Sequence, residues 1–438
     1  MGYFTKYICK NQVLSVKNEG FPRVFPAARG TPIDFVFRIE YNVEKKACSE
    51  DIMDSVFSRI RSRSRALLGE GAVERVWFLC LLALVIPVYL GHFPLPPMAQ
   101  YMIYGTSFCA YALLCMKLFL WDGWERRTLW LLGGCLVVLA LGTAVSGNRC
   151  FLSSFLLACS AKGIRFDKIS RFYFRFFLVT FLLNLLLVVL GLAEDTVTVR
   201  GEAWGYGNLR HSYGFGHPNT LGFWGMLTVF SGLLACPRGK RRFPFSLVLL
   251  VLSVVLFRLT DSKAALFSSL AAILLFNLFL LLGPYLTEKK WSVRFFPGVM
   301  LLCVVVFLLL CLLYRENSGF FRLCNTLFSQ RLGYANQGFR LFGVSLLGAH
   351  VDFGWDPVDS LLGYAPICLG VLPSLVYLGL ALAAIYRAGR AGRYDIAAVA
   401  FAGLLYCTME YGLINPVNLP LFAASACLSE ANGRKPSV

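Results

Sequence analysis

The residues best suited to chemistry in this chain lie in one run, Arg210-His-Ser-Tyr-Gly-Phe-Gly-His-Pro-Asn-Thr-Leu-Gly222. It sets a guanidinium, imidazoles, hydroxyls, an amide and closely spaced glycines between two long apolar stretches. A guanidinium grips phosphate oxygens through parallel hydrogen bonds, and an imidazole exchanges protons near neutral pH. Glycine lets the backbone bend and approach a ligand. Pro218 suits the first turn of a helix, whose unpaired N–H groups favour an anion. The run therefore reads as a polar loop entering a helix at a membrane face. Arg210, Asn219 and the helix start are expected to bind an anionic substrate and His217 to move a proton, while His211 reads as an ordinary loop residue.

Two further polar stretches supply partners. Arg258-Leu-Thr-Asp-Ser-Lys263 interrupts the apolar pattern, and the long segment 315–359 carries Arg315, Arg322, Arg331, Arg340, His350, Asp352, Asp356 and Asp359. Lys263, Arg331 and Arg340 are expected to bind that phosphate-bearing substrate. Asp359, at a loop-to-helix junction, is the second candidate for proton transfer, although a helix dipole would also favour an acid there. Glu410 reads as an intramembrane acid paired with an arginine. The acids show no metal-ligand spacing, and neither a metal nor another cofactor is expected.

These residues need elements to hold them. Of the 438 residues 57% are hydrophobic and only 15% charged, and the mean hydropathy is +0.64. The pattern predicts an all-α, polytopic transmembrane bundle of about twelve helices near 76–93, 98–118, 128–146, 149–162, 172–192, 218–236, 244–258, 263–284, 295–314, 360–386, 395–413 and 418–430. Residues 71–438 form that domain. Residues 1–70 read as a cytoplasmic N-terminal appendage, whether a small unit, a disordered tail or the product of a misplaced start codon, that ends in the basic run Ser58–Arg65 and lacks a cleavable signal.

The net charge of +18 is explained by topology, and no nucleic-acid partner is expected. Alternate connections carry the cations: Lys117 with Arg126 and Arg127; Lys162, Arg165, Lys168 and Arg171; Arg238 to Arg242; Lys289, Lys290 and Arg294; Arg387, Arg390 and Arg393. The positive-inside rule places these connections and both termini in the cytoplasm. Loops 193–217 and 315–359 then face outward, where arginines are disfavoured unless they have a use. The fifteen cysteines fall mostly in apolar runs and read as small core residues rather than a disulfide framework.

The pattern Arg210-x-Ser212-x-Gly214-Phe215-x-His217-Pro218-Asn219 resembles the signature of Wzy-type polysaccharide polymerases of Gram-positive bacteria, in the O-antigen ligase-like superfamily. The basic turn Lys162–Ile169, the Thr260-Asp-Ser-Lys263 turn, Arg331, Leu341-Phe-Gly343, Val358-Asp-Ser360 and Leu369-Gly370 are similar to that family's later landmarks, over about residues 75 to 430. Lys263 stands where the pattern has Arg, Ser360 where it has Asn, and Leu362 where it has Tyr. The resemblance implies a glycosyltransferase that moves a growing glycan from undecaprenyl diphosphate onto another lipid-linked repeat unit, at the outer face of the plasma membrane. It implies the lipid-linked oligosaccharide and the bilayer as partners, with other capsule or exopolysaccharide assembly proteins. The rival readings are a flippase for the same lipid-linked sugars, a ligase passing finished glycan to another acceptor, and a non-catalytic scaffold or sensor. No internal repeat of the kind common in transporters is visible.

Overall fold

A computed structural model describes residues 70–93, 95–200, 208–236, 242–289, 291–351 and 358–433. The expected appendage and its basic run lie outside the described residues, as do Asp352 and Asp356. The helices in chain order are α1 (Glu70–Leu90), α2 (Pro97–Met116), α3 (Arg126–Ser146), α4 (Cys150–Ser160), α5 (Phe166–Val189), α6 (Pro218–Ala235), α7 (Arg242–Thr260) and α8 (Lys263–Glu288). There follow α9 (Ser292–Leu312), α10 (Gly319–Leu327), α11 (Arg331–Phe342), α12 (Leu361–Tyr364), α13 (Val371–Arg390), α14 (Tyr394–Met409) and α15 (Ala423–Gly433).

Among the described residues, eight helices are long and apolar enough to cross a membrane: α1, α2 with its π-helical extension to Trp121, α3, α5, α7, α8, α9 and α13. The chain is a membrane-embedded helical protein. Each expected apolar segment is helical at its core, but α4, α14 and the stretch Gly412–Leu428 are shorter apolar helices, and α6, the expected span 218–236, is not among the eight. The expected span 360–386 is broken. Its chain passes through α12 and a π-helical turn, Ala365–Leu369, and restarts as α13 after Gly370 at φ +97°. Residues 345–349 run beside that break and take its backbone hydrogen bonds, with Ser345 and Ala349 N–H donating to the Pro366 and Cys368 carbonyls.

Helix α6 is apolar on every side and buried through nearly all its length, as a helix surrounded by other helices must be. Its glycines let neighbours approach closely. A Cβ on Gly225 would lie 2.2 Å from Leu256 of α7, and one on Gly222 would lie 2.6 Å from Ser262 ahead of α8. Trp224 of α6 anchors an aromatic cluster with Tyr89, Phe177 and Phe215, at ring separations of 5.5, 5.4 and 5.9 Å.

The two long loops are more ordered than an all-α expectation allows. Loop 193–217 contains an antiparallel pair, β1 (Val197–Arg200) and β2 (Asn208–His211), in the register Val197↔His211 and Arg200↔Asn208. The β-branched Val197-Thr-Val199 run favours this hairpin, and its brevity hid it beside the helical pattern. Segment 315–359 contains α10 and α11.

Candidate active site

The hairpin is fastened at its base by Asp195. Its Oδ1 accepts from the Ser212 and Tyr213 N–H groups at 3.0 and 2.8 Å, its Oδ2 meets His211 Nδ1 at 2.6 Å, and Ser212 Oγ accepts from Thr196 N–H at 2.8 Å. Burial works against the Asp195 charge, but the His211 and backbone donors outweigh it and hold the carboxyl below its usual range. His211 is thus a tie within the loop. From this base the chain turns sharply: Tyr213, Gly214 and Gly216 have φ of +41°, +82° and +70°. A Cβ on Gly214 would also press on Val188 at 3.3 Å. That turn delivers His217 to the start of α6.

A cavity of about 770 Å³ opens there. Arg210, His217, Asn219, Lys263, Arg331 and Asp359, six of the residues expected from sequence, all line it. Arg210 is 8% exposed; its Nε donates to the Thr260 carbonyl ending α7 at 2.7 Å, and its Nη2 to Asn219 Oδ1 at 2.5 Å. Asn219 Nδ2 donates on to Glu410 Oε1 at 3.3 Å. Arg331 clamps the opposite wall, with Nη1 on Asp359 Oδ2 at 2.6 Å, Nη2 on Glu410 Oε1 at 3.3 Å and Nε on the Met409 carbonyl at 2.9 Å. That carbonyl ends α14, where a helix dipole favours a cation. Lys263 begins α8 and is exposed.

Arg340 does not join them. It lies nine residues after Arg331 on α11, which at 100° per residue is the opposite helix face, about 13 Å further along, and it is exposed. Arg315, Arg322 and His350 are exposed as well.

The free helix-start N–H groups expected to hold an anion are already occupied. Asn219 N–H donates to His217 Nδ1 at 3.1 Å, and the Thr220 and Leu221 N–H groups to the His217 carbonyl at 3.0 and 3.3 Å; Pro218 has none. The groups of this cavity left to meet an anion are therefore side chains. The same cap fixes the imidazole. With Nδ1 accepting, the neutral ring carries its proton on Nε2 and presents a donor. Burial, with help from the Arg210 charge and against Asp359, lowers the His217 pKa and keeps the ring neutral. His217 is accordingly built as a donor, and the proton acceptors of the cavity are its carboxylates.

Both carboxylates are raised. Burial pushes up Asp359, partly offset by Arg331 and His217. Burial and the neighbouring Asp359 charge push Glu410 to about 7, despite Arg331 and Arg210. Glu410 was expected inside a membrane helix; it lies one residue past α14 in extended backbone. It reached the sequence reading only as an arginine partner.

His92 is the other residue that sequence reasoning missed. It lines the cavity from the α1–α2 turn, its Nε2 accepts from the buried Trp224 indole N–H at 3.3 Å, and burial lowers its pKa. Only its place in the connection Gly91-His-Phe93-Pro94, on the loop side already carrying the motif, pointed to it.

Strained backbone gathers at the same end. Among the described residues the non-glycine positions with positive φ are Tyr213, Asp261, Ser329 and Gln330. Tyr213 lies between Arg210 and His217, Asp261 precedes Ser262 and Lys263, and Ser329 and Gln330 precede Arg331. Such conformations cost on the order of 1–3 kcal/mol each and persist where the surroundings impose them. Among the described residues no group of three His, Cys, Asp or Glu is placed to hold a metal ion. No protein-family model, curated protein or solved structure matches this chain.

Proposed function

We propose that this chain is a membrane glycosyltransferase that polymerises undecaprenyl-diphosphate-linked oligosaccharide repeat units at the outer face of the plasma membrane. The observation that carries the reading is the cavity itself, where Arg210, Lys263 and Arg331 converge with Asp359, Glu410 and two neutral imidazoles. The reaction needs these parts. An acceptor sugar hydroxyl attacks the anomeric carbon of the donor glycan, its proton leaves to a base, and the C–O bond to the lipid diphosphate breaks. Asp359 is the proposed base, because it faces the cavity beside His217 and needs no change of tautomer. The departing diphosphate gains charge, which Arg210 and Lys263 stabilise best where water is excluded. His217 donates from Nε2 to a phosphate or sugar oxygen, and Arg331 holds the two carboxylates in place.

A lipid-linked substrate also finds support in an apolar crevice of about 310 Å³ between α9, α13 and α14. Its Cys407 and Leu361 walls are the apolar sides of the segments that carry Glu410 and Asp359.

The test is the length distribution of surface glycan, with its lipid-linked intermediates, in cells carrying Arg210→Ala or His217→Ala at normal protein level. Single repeat units accumulating on lipid at the outer leaflet, with polymer lost, is the expected result. Units trapped on the inner leaflet would point to a flippase, finished polymer left on lipid to a ligase, and unchanged glycan would remove the cavity from the mechanism.

A further inference from the structure

At the end of the bundle remote from this cavity, α5 carries an unusual stripe. Lys168, Arg171, Phe172, Arg175, Phe176 and Val179 recur at the three- and four-residue spacing that places them on one helix face. With Phe78 of α1 they line a groove of about 580 Å³. The outermost cation is neutralised, since Lys168 Nζ lies 2.7 Å from Glu74 Oε1 on α1. Among the described residues the next two are not: Arg171 turns its Nε back to the Asp167 carbonyl at 3.1 Å, and the described lining of the groove holds no acid.

Arg175 is exposed on the flank of a membrane-crossing helix, nine residues past its start, about 13 Å along it. An arginine facing hydrocarbon is costly unless it reaches an anion or the interface. Around it the groove is aromatic and aliphatic, with Phe78 and Phe172 rings 5.4 Å apart and Phe176 stacked 6.3 Å beyond.

We propose that this groove is a binding site for one anionic phospholipid of the bilayer, independent of the catalytic reading. Arg171 and Arg175, one helical turn apart, hold the headgroup phosphate, and an acyl chain lies along Phe172, Phe176 and Val179. Net charge selects the ligand, because two guanidiniums with no carboxylate among the described groove residues are left neutral by an anionic lipid and not by a zwitterionic one.

The experiment uses the full chain in nanodiscs of phosphatidylcholine doped with phosphatidylglycerol, reading thermal stability and the lipid retained through purification by mass spectrometry. Wild type is expected to retain phosphatidylglycerol preferentially and to gain thermal stability from it. The double variant Arg171→Gln/Arg175→Gln should retain it about 30-fold less, at roughly fivefold per surface cation. Both guanidiniums are exposed, so the variant keeps its packing. A control pair at the same end, Arg75→Gln/Arg127→Gln, also exposed, should behave as wild type. Equal loss in both pairs would show nonspecific attraction to a charged surface, and no loss in either would show that the arginines merely reach the interface; each result overturns the site.

Discussion

At the scale of single residues, the cavity turns on one cation shared between two acids. Removing Arg331 leaves Asp359 and Glu410 facing each other at about a fifth exposed or less; breaking a fully buried pair costs about 3–5 kcal/mol, and this half-buried one less. Arg331→Met is therefore expected to lower the melting temperature far more than Lys263→Met, whose ammonium is exposed, while both reduce polymer formation. Differential scanning fluorimetry beside the glycan assay checks this; equal melting temperatures would mean that Arg331 is not a structural clamp. Glu410 yields a pH prediction. Its folded pKa, about 7, stands above the ordinary 4.5, so the native state binds the extra proton between those values. Stability should fall as pH rises from about 4.5 to 7, by on the order of 1–3 kcal/mol, and Glu410→Gln should flatten that slope. A further prediction concerns tautomers. Long-range ¹H–¹⁵N correlation of labelled histidine should show His217 protonated on Nε2 and His92 on Nδ1, and Trp224→Phe should release only the second preference.

At the scale of elements, legibility followed periodicity. Long apolar helices were readable because bilayer thickness fixes their length, and the motif at 210–222 was readable because its residue types depart sharply from their flanks. Hairpin β1–β2 was not: strands of four residues carry too little alternation to register. Arg340 was misplaced for a related reason, since a run of arginines in a presumed loop has no faces, and only once α11 forms do Arg331 and Arg340 point opposite ways. His92 and Glu410 lie far from the motif in sequence and enter the site only through packing. That packing depends on close helix contact at Gly222, where a methyl group would meet Ser262 Cβ at 2.6 Å. Gly222→Ala should push the start of α8 away and displace Lys263. The expected outcome is a severalfold weaker interaction with a diphosphate probe such as farnesyl diphosphate, without loss of the fold by circular dichroism. Unchanged binding would show that Ser262 moves aside without carrying Lys263.

At the scale of the whole molecule, charge and site separate along the membrane normal. Strand β2, the α1–α2 turn, the α7–α8 junction and the segments around Arg331 and Asp359 build the cavity at one end. The connections carrying Lys162, Arg165, Lys168, Arg387, Arg390 and Arg393 cannot share that end, because α1 and α5 run from the basic side to the cavity: Glu74 and Lys168 pair near their starts, while Gly91 and Val188 lie by the cavity and its loop. The basic end is pinned by ion pairs that the cavity does not use, Arg393 with Asp395 and Asp167 at 3.0 and 2.9 Å, and Lys117 with Asp122 at 2.5 Å. The positive-inside rule predicts that the cavity faces outward, the side on which the proposed polymerase would meet lipid-linked units. The orientation is open to direct test. Leu209, 63% exposed on β2, and Arg390, exposed at the end of α13, mark the two ends. With wild type as background, Leu209→Cys should react with a membrane-impermeant maleimide in intact cells, and Arg390→Cys only after permeabilisation. The reverse pattern would place the cavity in the cytoplasm, where the proposed donor is not presented, and the cluster of Arg210, His217 and Arg331 would then need a substrate from that side.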